Sequence, residues 1–213
     1  MVFRLENLLP KPFEEIDVSA SHVWNKSIGL SSGRYICLQA ASGKGKSTLL
    51  HILYGRRKDY SGSAMLDGAD IRSFSEGKWA ALRQKKLSIV FQELMLFSEL
   101  TGLENILLKS RLTNYYNQDR IFEMAKRLNV QHLFRKKCGI LSFGEKQRIA
   151  ILRALVQPFE WLLLDEPFSH LDSENSQRAA ELILEECKGR HAGILVTALE
   201  HDNLFPYHEI ITV

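Results

Sequence analysis

The sequence predicts an α/β protein built on a parallel sheet. Three observations carry that prediction. Short apolar runs recur along the chain and end in polar residues. Stretches with a helical period lie between them. A glycine-rich loop joins the run Tyr35-Ile36-Cys37-Leu38 to the apolar stretch Leu49-Leu50-His51-Ile52-Leu53. Strands that alternate with helices form right-handed crossover units and so a parallel sheet. In such sheets ligands collect at the carboxyl ends of the strands.

From the N-terminus, residues 1–36 hold short β-like pieces broken by Pro10, Pro12, Ser31, Ser32 and Gly33. The loop itself reads Ala40-Ala41-Ser42-Gly43-Lys44-Gly45-Lys46-Ser47-Thr48. Small residues there let backbone N–H groups close around phosphate oxygens, and the following helix points its positive end at the same anion. Lys46 is placed to reach the β- and γ-phosphates of a nucleotide, and the Ser47 hydroxyl to ligate Mg²⁺. Ala40 stands where the phosphate-loop pattern opens with glycine. Lys44 adds positive charge near the nucleotide, where it either raises affinity or merely faces solvent.

After the first helix, residues 60–68 read as turn, strand, turn, and Leu87-Ser88-Ile89-Val90-Phe91 as a second buried strand. The helical period dominates from about Glu104 to Val156, and Pro158 closes that stretch. Trp161-Leu162-Leu163-Leu164 predicts a buried strand ending in Asp165. Gly193-Ile194-Leu195-Val196 predicts another ending in Thr197, with a helix from about Ser173 to Cys187 between them.

Leu163-Leu164-Asp165-Glu166-Pro167 delivers two carboxylates at the end of a core strand. Asp165 is expected to hold Mg²⁺ through water or the Ser47 hydroxyl. Glu166 is placed to orient or deprotonate an attacking water. In Leu141-Ser142-Phe143-Gly144-Glu145-Lys146-Gln147-Arg148, Ser142 and Glu145 have capping-box spacing at a helix start. Such a start, with Gly144 beside it, is also an anion site. A second phosphate-binding device in a chain with one phosphate loop suggests that two chains share each nucleotide.

These motifs together resemble the nucleotide-binding subunit of ATP-binding cassette (ABC) transporters, over nearly the full chain. The resemblance implies an α/β P-loop NTPase with a RecA-like core, an N-terminal antiparallel β layer and a helical subdomain at about 93–157, all in one domain spanning 1–213. Residues 141–145 then form the signature motif, which binds the γ-phosphate held by the other subunit through Ser142, Gly144 and Glu145. Gln92 matches the glutamine that senses Mg²⁺ and γ-phosphate and couples to the membrane partner. Ser169-His170-Leu171-Asp172 matches the loop that crosses the dimer interface. The stretches 88–92 and 100–106 resemble the lipoprotein-release, macrolide-efflux and cell-division subgroup. Implied ligands are ATP and Mg²⁺. Implied partners are a second cassette and separate membrane-spanning permease subunits, at the cytoplasmic face of the membrane.

The chain departs from the family pattern at four places besides Ala40. Phe143 replaces a usual glycine and Glu145 a usual glutamine. The switch histidine that normally follows the last strand directly is missing from Thr197-Ala198-Leu199-Glu200-His201-Asp202. Either His201 fills that role after a three-residue insertion, or Ala198 occupies the slot and the switch is absent. No aromatic stands clearly in the adenine-stacking position. Phe13 is a candidate there, and a core phenylalanine is the plainer reading. Weak base stacking would loosen the preference for ATP over GTP.

Composition narrows the alternatives. The 213 residues are 45% hydrophobic and 25% charged, ordinary for a globular chain, and a net charge of +3 is too mild to imply nucleic acid. Cys37, Cys138 and Cys187 read as reduced thiols in a cytosolic chain. No apolar run approaches the ~20 residues that span a bilayer, and the N-terminus lacks signal-peptide layout. Histidines 22, 51, 132, 191 and 208 show no ligand spacing, and the basic runs at 56–58 and 135–137 read as solvated faces. Two further functions fit the same motifs: a regulatory ATPase that controls cell-wall enzymes through a membrane partner, or a soluble ATPase acting on nucleic acid or ribosomes. The latter usually carry two cassettes or long insertions, and this chain has neither.

Overall fold

A computed structural model describes residues 1–199 and 203–213. Two sheets form its framework. A four-stranded sheet of order β2-β1-β4-β5 contains β1 (Val2–Pro10), β2 (Ser27–Ser31), β4 (Tyr60–Leu66) and β5 (Ala69–Asp70). Its pairings are antiparallel. A five-stranded sheet of order β6-β7-β8-β3-β9 contains β6 (Leu87–Val90), β7 (Trp161–Asp165), β8 (Gly193–Ala198), β3 (Tyr35–Gln39) and β9 (Glu209–Thr212). All of its pairings are parallel.

Burial on both faces explains why the parallel strands read as continuous apolar runs. Successive side chains of a strand point to opposite faces. Trp161 and Leu163 pack with Phe3, Leu5, Leu38 and Leu49, under the antiparallel sheet and helix α1 (Lys46–Leu53). Leu162 and Leu164 pack with Ile149, Leu152, Leu155 and Ile183 on the other side. Those residues belong to α5 (Phe143–Leu155) and α6 (Ser173–Arg190).

The long helical stretch is divided into α3 (Gly102–Ser110), α4 (Gln118–Arg127) and α5. The divisions have local causes. Asn129, just past the end of α4, adopts positive φ, a conformation asparagine accepts better than most residues and one that ends a helix, and Asn114 adopts it in the turn that follows α3. Restarts are marked by caps: Thr101 and Glu104 form a capping box, and the Asn117 side chain accepts from the Arg120 N–H. Helix α6 runs three residues beyond Cys187 and stops at His191, which is left-handed. Helix α2 (Glu76–Lys85) and strand β9 carry no sequence signal that singled them out. In α2 only Trp79 is buried, so the periodic apolar face is nearly absent.

A buried ionic seam joins α4 to α6. Glu186 is 3% exposed. Its carboxylate accepts from the Tyr116 hydroxyl at 2.6 Å and from Arg120 Nη2 at 2.7 Å, and it also pairs with Arg190. No helix among the described residues is long and apolar enough to cross a membrane.

The three cysteines are buried thiols. Burial pushes the Cys187 thiol up to about 12 and raises that of Cys138. Because the thiolate is the reactive form, the folded protein at pH 8 is expected to take up almost no thiol reagent within minutes. Unfolding in guanidinium should release all three groups, as a colorimetric thiol assay will show.

Candidate functional site

Parallel register brings the chemistry to one edge. Val90 pairs with Leu164, Asp165 with Thr197, and Thr197 with Leu38. The chain therefore leaves β3, β6, β7 and β8 side by side, and the phosphate loop, Gln92, Glu166 and Leu199 all follow there. A cavity of about 250 Å³ lies among Phe13, Ser42, Gly43, Gly45, Lys46, Ser47, Thr48, Gln92, Glu166 and Leu199.

The loop is shaped to receive an anion. Ala41, Ser42, Gly43 and Lys44 are exposed. Gly43 and Gly45 have φ of 80° and 99°. At Gly45 a Cβ would come within 2.5 Å of the Phe13 ring and 2.8 Å of Trp24. Those two rings fix the loop from beneath, and Trp24 Nε1 donates to the Lys44 carbonyl at 3.2 Å. Ala40 causes no strain, since it is not among the residues with positive φ. Its carbonyl accepts from Lys46 Nζ at 2.6 Å. The ammonium, 5% exposed, also lies 3.7 Å from Glu166 Oε1.

Opposite the loop, Asp165 is 2% exposed. Its Oδ1 accepts from the Ser47 hydroxyl at 3.0 Å, across 118 positions of sequence, and from the Thr197 hydroxyl at 2.7 Å. Burial of a carboxylate is tolerated only with such partners. Glu166 takes φ of 47°. Its N–H donates to Thr197 Oγ1 at 2.9 Å and its carbonyl accepts from Gln147 Nε2 at 3.1 Å. Gln92 Nε2 reaches Glu166 Oε2 at 3.4 Å. Thus Lys46, Ser47, Gln92, Asp165 and Glu166 converge. Thr197 and Gln147 join them unannounced. Their signal was only positional: one ends a buried strand, the other sits one turn into a capped helix.

The donor set suits a hard cation. Ser47 and Asp165 offer oxygen ligands, with Gln92 nearby. A small octahedral ion such as Mg²⁺ takes one or two protein ligands and leaves its other positions to phosphate and water. Among the described residues no cluster of three His, Cys, Asp or Glu side chains could hold a metal without such help.

The helix start expected to be a second anion site, that of α5, lies apart. Ser142 and Glu145 form the expected capping box, and Glu145 Oε2 accepts from the Ser142 N–H at 2.8 Å and the Ser142 hydroxyl at 2.9 Å. Gly144 lets the helix meet the loop after β7: a Cβ there would lie 2.8 Å from the His170 carbonyl oxygen. Phe143 is 44% exposed and its ring lies 4.1 Å from that of His170. Ser142 and Phe143 face solvent. Ala198 ends β8 at the rim of the site, beside Glu166 and Thr197. His201, the alternative for the switch, lies outside the described residues. Phe13 is both core and rim: it packs against Trp24 at 5.7 Å and lines the cavity.

A phosphate loop facing a buried strand-end carboxylate on a parallel sheet defines a P-loop nucleotide-binding protein. A family model described as ABC transporter matches residues 23–169. The lipoprotein-releasing system ATP-binding protein LolD of Buchnera aphidicola is 35% identical over 182 residues, covering 84% of this chain and 79% of that protein. The ABC transporter ATP-binding protein YtrE of Bacillus subtilis is 32% identical over 180 residues, 83% of this chain and 77% of that protein. The dimeric structure of MJ0796, a bacterial ABC transporter cassette, superimposes with a TM-score of 0.81 at 24% identity, covering 99% of this chain and 94% of that chain. The chain belongs to the ABC transporter family and is its ATP-binding, ATP-hydrolysing cassette.

Hydrogen bonds from Ser142 hold the Glu145 carboxyl below its usual range. A group with a depressed folded value adds stability above its unfolded value, and that contribution is lost as pH falls through the folded one. The melting-temperature advantage of wild type over Glu145→Gln should therefore be full above about pH 5 and shrink toward pH 3. A scan of melting temperature against pH for both proteins measures this.

Proposed function

We propose that residues 1–213 form one cassette domain, with residues 93–157 as its helical subdomain, and that it works as a pair around two ATP. The observation that carries the reading is the Ser47–Asp165 hydrogen bond at 3.0 Å beside the Lys46–Glu166 contact at 3.7 Å. These four side chains form the metal-and-water half of a phosphoryl-transfer site. Residues 41–48 cradle the phosphates through backbone N–H groups, and Lys46 neutralises the β- and γ-phosphates. Ser47, Asp165 and Gln92 would hold Mg²⁺, which when bound neutralises charge that develops on the phosphate oxygens. Glu166 orients the attacking water and accepts its proton. Ser142 and Gly144 of a second copy meet the γ-phosphate from the far side, with Glu145 holding that helix start in shape. His201, if it reaches the γ-phosphate, adds a donor there.

Hydrolysis is then coupled to export, or to mechanical work, through separate membrane-spanning permease subunits at the cytoplasmic face. Support comes from relatives named for lipoprotein release and from exposed apolar residues: Met95 and Phe97 after Gln92, Leu108 on α3 and Leu112 just beyond it.

Glu166→Gln should bind ATP yet hydrolyse it at least ~100-fold more slowly, since a general base contributes about 10²–10⁴-fold. It should also accumulate as an ATP-bound dimer in light scattering. Wild-type turnover in this variant overturns the role of Glu166. Ser142→Arg should leave ATP binding to the monomer intact and abolish ATP-driven dimerisation in the same assay. A normal dimer there removes α5 from the shared site.

A further inference from the structure

We propose that Thr197 is a positioning residue that sets both carboxylates of the nucleotide site at once. The inference rests on the roles assigned above to Asp165 and Glu166. Thr197 is fully buried, one residue before the end of β8, and lies directly across the sheet from Asp165. A threonine hydroxyl has one proton to donate and lone pairs to accept with. Here the proton goes to Asp165 Oδ1 at 2.7 Å, and a lone pair receives the Glu166 N–H at 2.9 Å. One oxygen atom therefore touches the side chain of the first acid and the backbone of the second.

The second contact matters because Glu166 has φ of 47°. L residues with a full side chain rarely hold that conformation, and it persists only where the surroundings over-determine it. Glu166 is held on both sides. Its N–H is taken by Thr197, and its carbonyl by Gln147 Nε2 at 3.1 Å and Ser169 Oγ at 3.1 Å. Losing the Thr197 oxygen frees the peptide that aims the Glu166 carboxylate at Lys46.

The first contact matters most when a cation is present. Ser47 and Thr197 both donate to the same oxygen of Asp165. A Ser47 oxygen turned toward Mg²⁺ leaves Thr197 as the donor that keeps Asp165 in register. Partners of this kind, behind a metal-binding carboxylate, typically change metal affinity or rate by about 10–100-fold.

The test compares Thr197→Val, close in shape but unable to hydrogen-bond, with Thr197→Ser, which restores the hydroxyl. Four quantities are measured on the full chain: melting temperature, ATP affinity in EDTA, Mn²⁺ affinity of the ATP complex by electron paramagnetic resonance, and ATP turnover across a Mg²⁺ titration. Thr197→Val should bind ATP in EDTA within about twofold of wild type. Its Mn²⁺ affinity should fall, its Mg²⁺ requirement rise, and its kcat drop roughly 10–100-fold. Thr197→Ser should return kcat to within about threefold. If Thr197→Val does not melt cooperatively, Thr197→Ala is measured against the same criteria. The inference is overturned if the hydroxyl-free variant keeps turnover and Mn²⁺ affinity within twofold, or if Thr197→Ser is as slow as Thr197→Val. Glu166→Gln, run alongside, separates the two levels. If it is slow while Thr197→Val is not, only the Thr197 role falls. If it turns over normally, the assignment of the site falls and the inference with it.

Discussion

A carboxylate buried at 2% exposure is the constraint around which the rest of this structure is arranged. Asp165 cannot sit at the end of an apolar strand unless hydrogen bonds replace the water it has lost. Both of its observed donors come from other elements: Ser47 from the first turn of α1 and Thr197 from the end of β8. Three segments far apart in sequence must therefore terminate at one level. Parallel pairing of β3, β7 and β8 enforces this, because a slip of one residue would turn every side chain to the opposite face. Packing the two cores and presenting the acid are thus one requirement met by one register.

The same logic extends to the phosphate loop. Its conformation is unfavourable for most residues at Gly43 and Gly45. It gains support from Phe13 and Trp24, which lie in the segment between β1 and β2. The antiparallel layer therefore does more than cover the sheet. It supplies the rings that the loop rests on, and it places Phe13 at the cavity rim. One side chain there both packs on Trp24 and lines the cavity.

Much of this was legible in the sequence because the decisive signals are local. The strand before the loop, the Lys46-Ser47 pair, the strand ending in Asp165-Glu166 and the Ser142–Glu145 spacing each fit within a dozen residues. What was illegible depends on contacts that sequence spacing does not encode. Thr197 looked like the end of a strand, and its importance comes from facing Asp165 across the sheet. Gln147 looked like one polar residue of a helix, and it reaches the Glu166 carbonyl. The left-handed turn at Glu166 has no glycine to announce it. Helix α2 escaped notice because a helix held largely by Trp79 lacks a periodic face, and β9 because four residues at a sheet edge show no alternation to read. Helical periodicity merged α3, α4 and α5 into one stretch, since positive φ at Asn114 and Asn129 leaves only a faint trace in sequence.

The seam at Glu186 has a mechanical consequence. Apolar surfaces attract without preferred direction, so packed helices can slide a little against each other at small cost. A carboxylate held by Tyr116, Arg120 and Arg190 has no such freedom, because hydrogen bonds weaken steeply with angle and a freed charge would stay buried. Helix α4 is pinned to α6 like a bolted plate. Helices α3 and α5 pack through apolar side chains such as Ile106 and Ile149. A tilt of α4 must therefore carry α6, and with it the loop after β7, along as one piece.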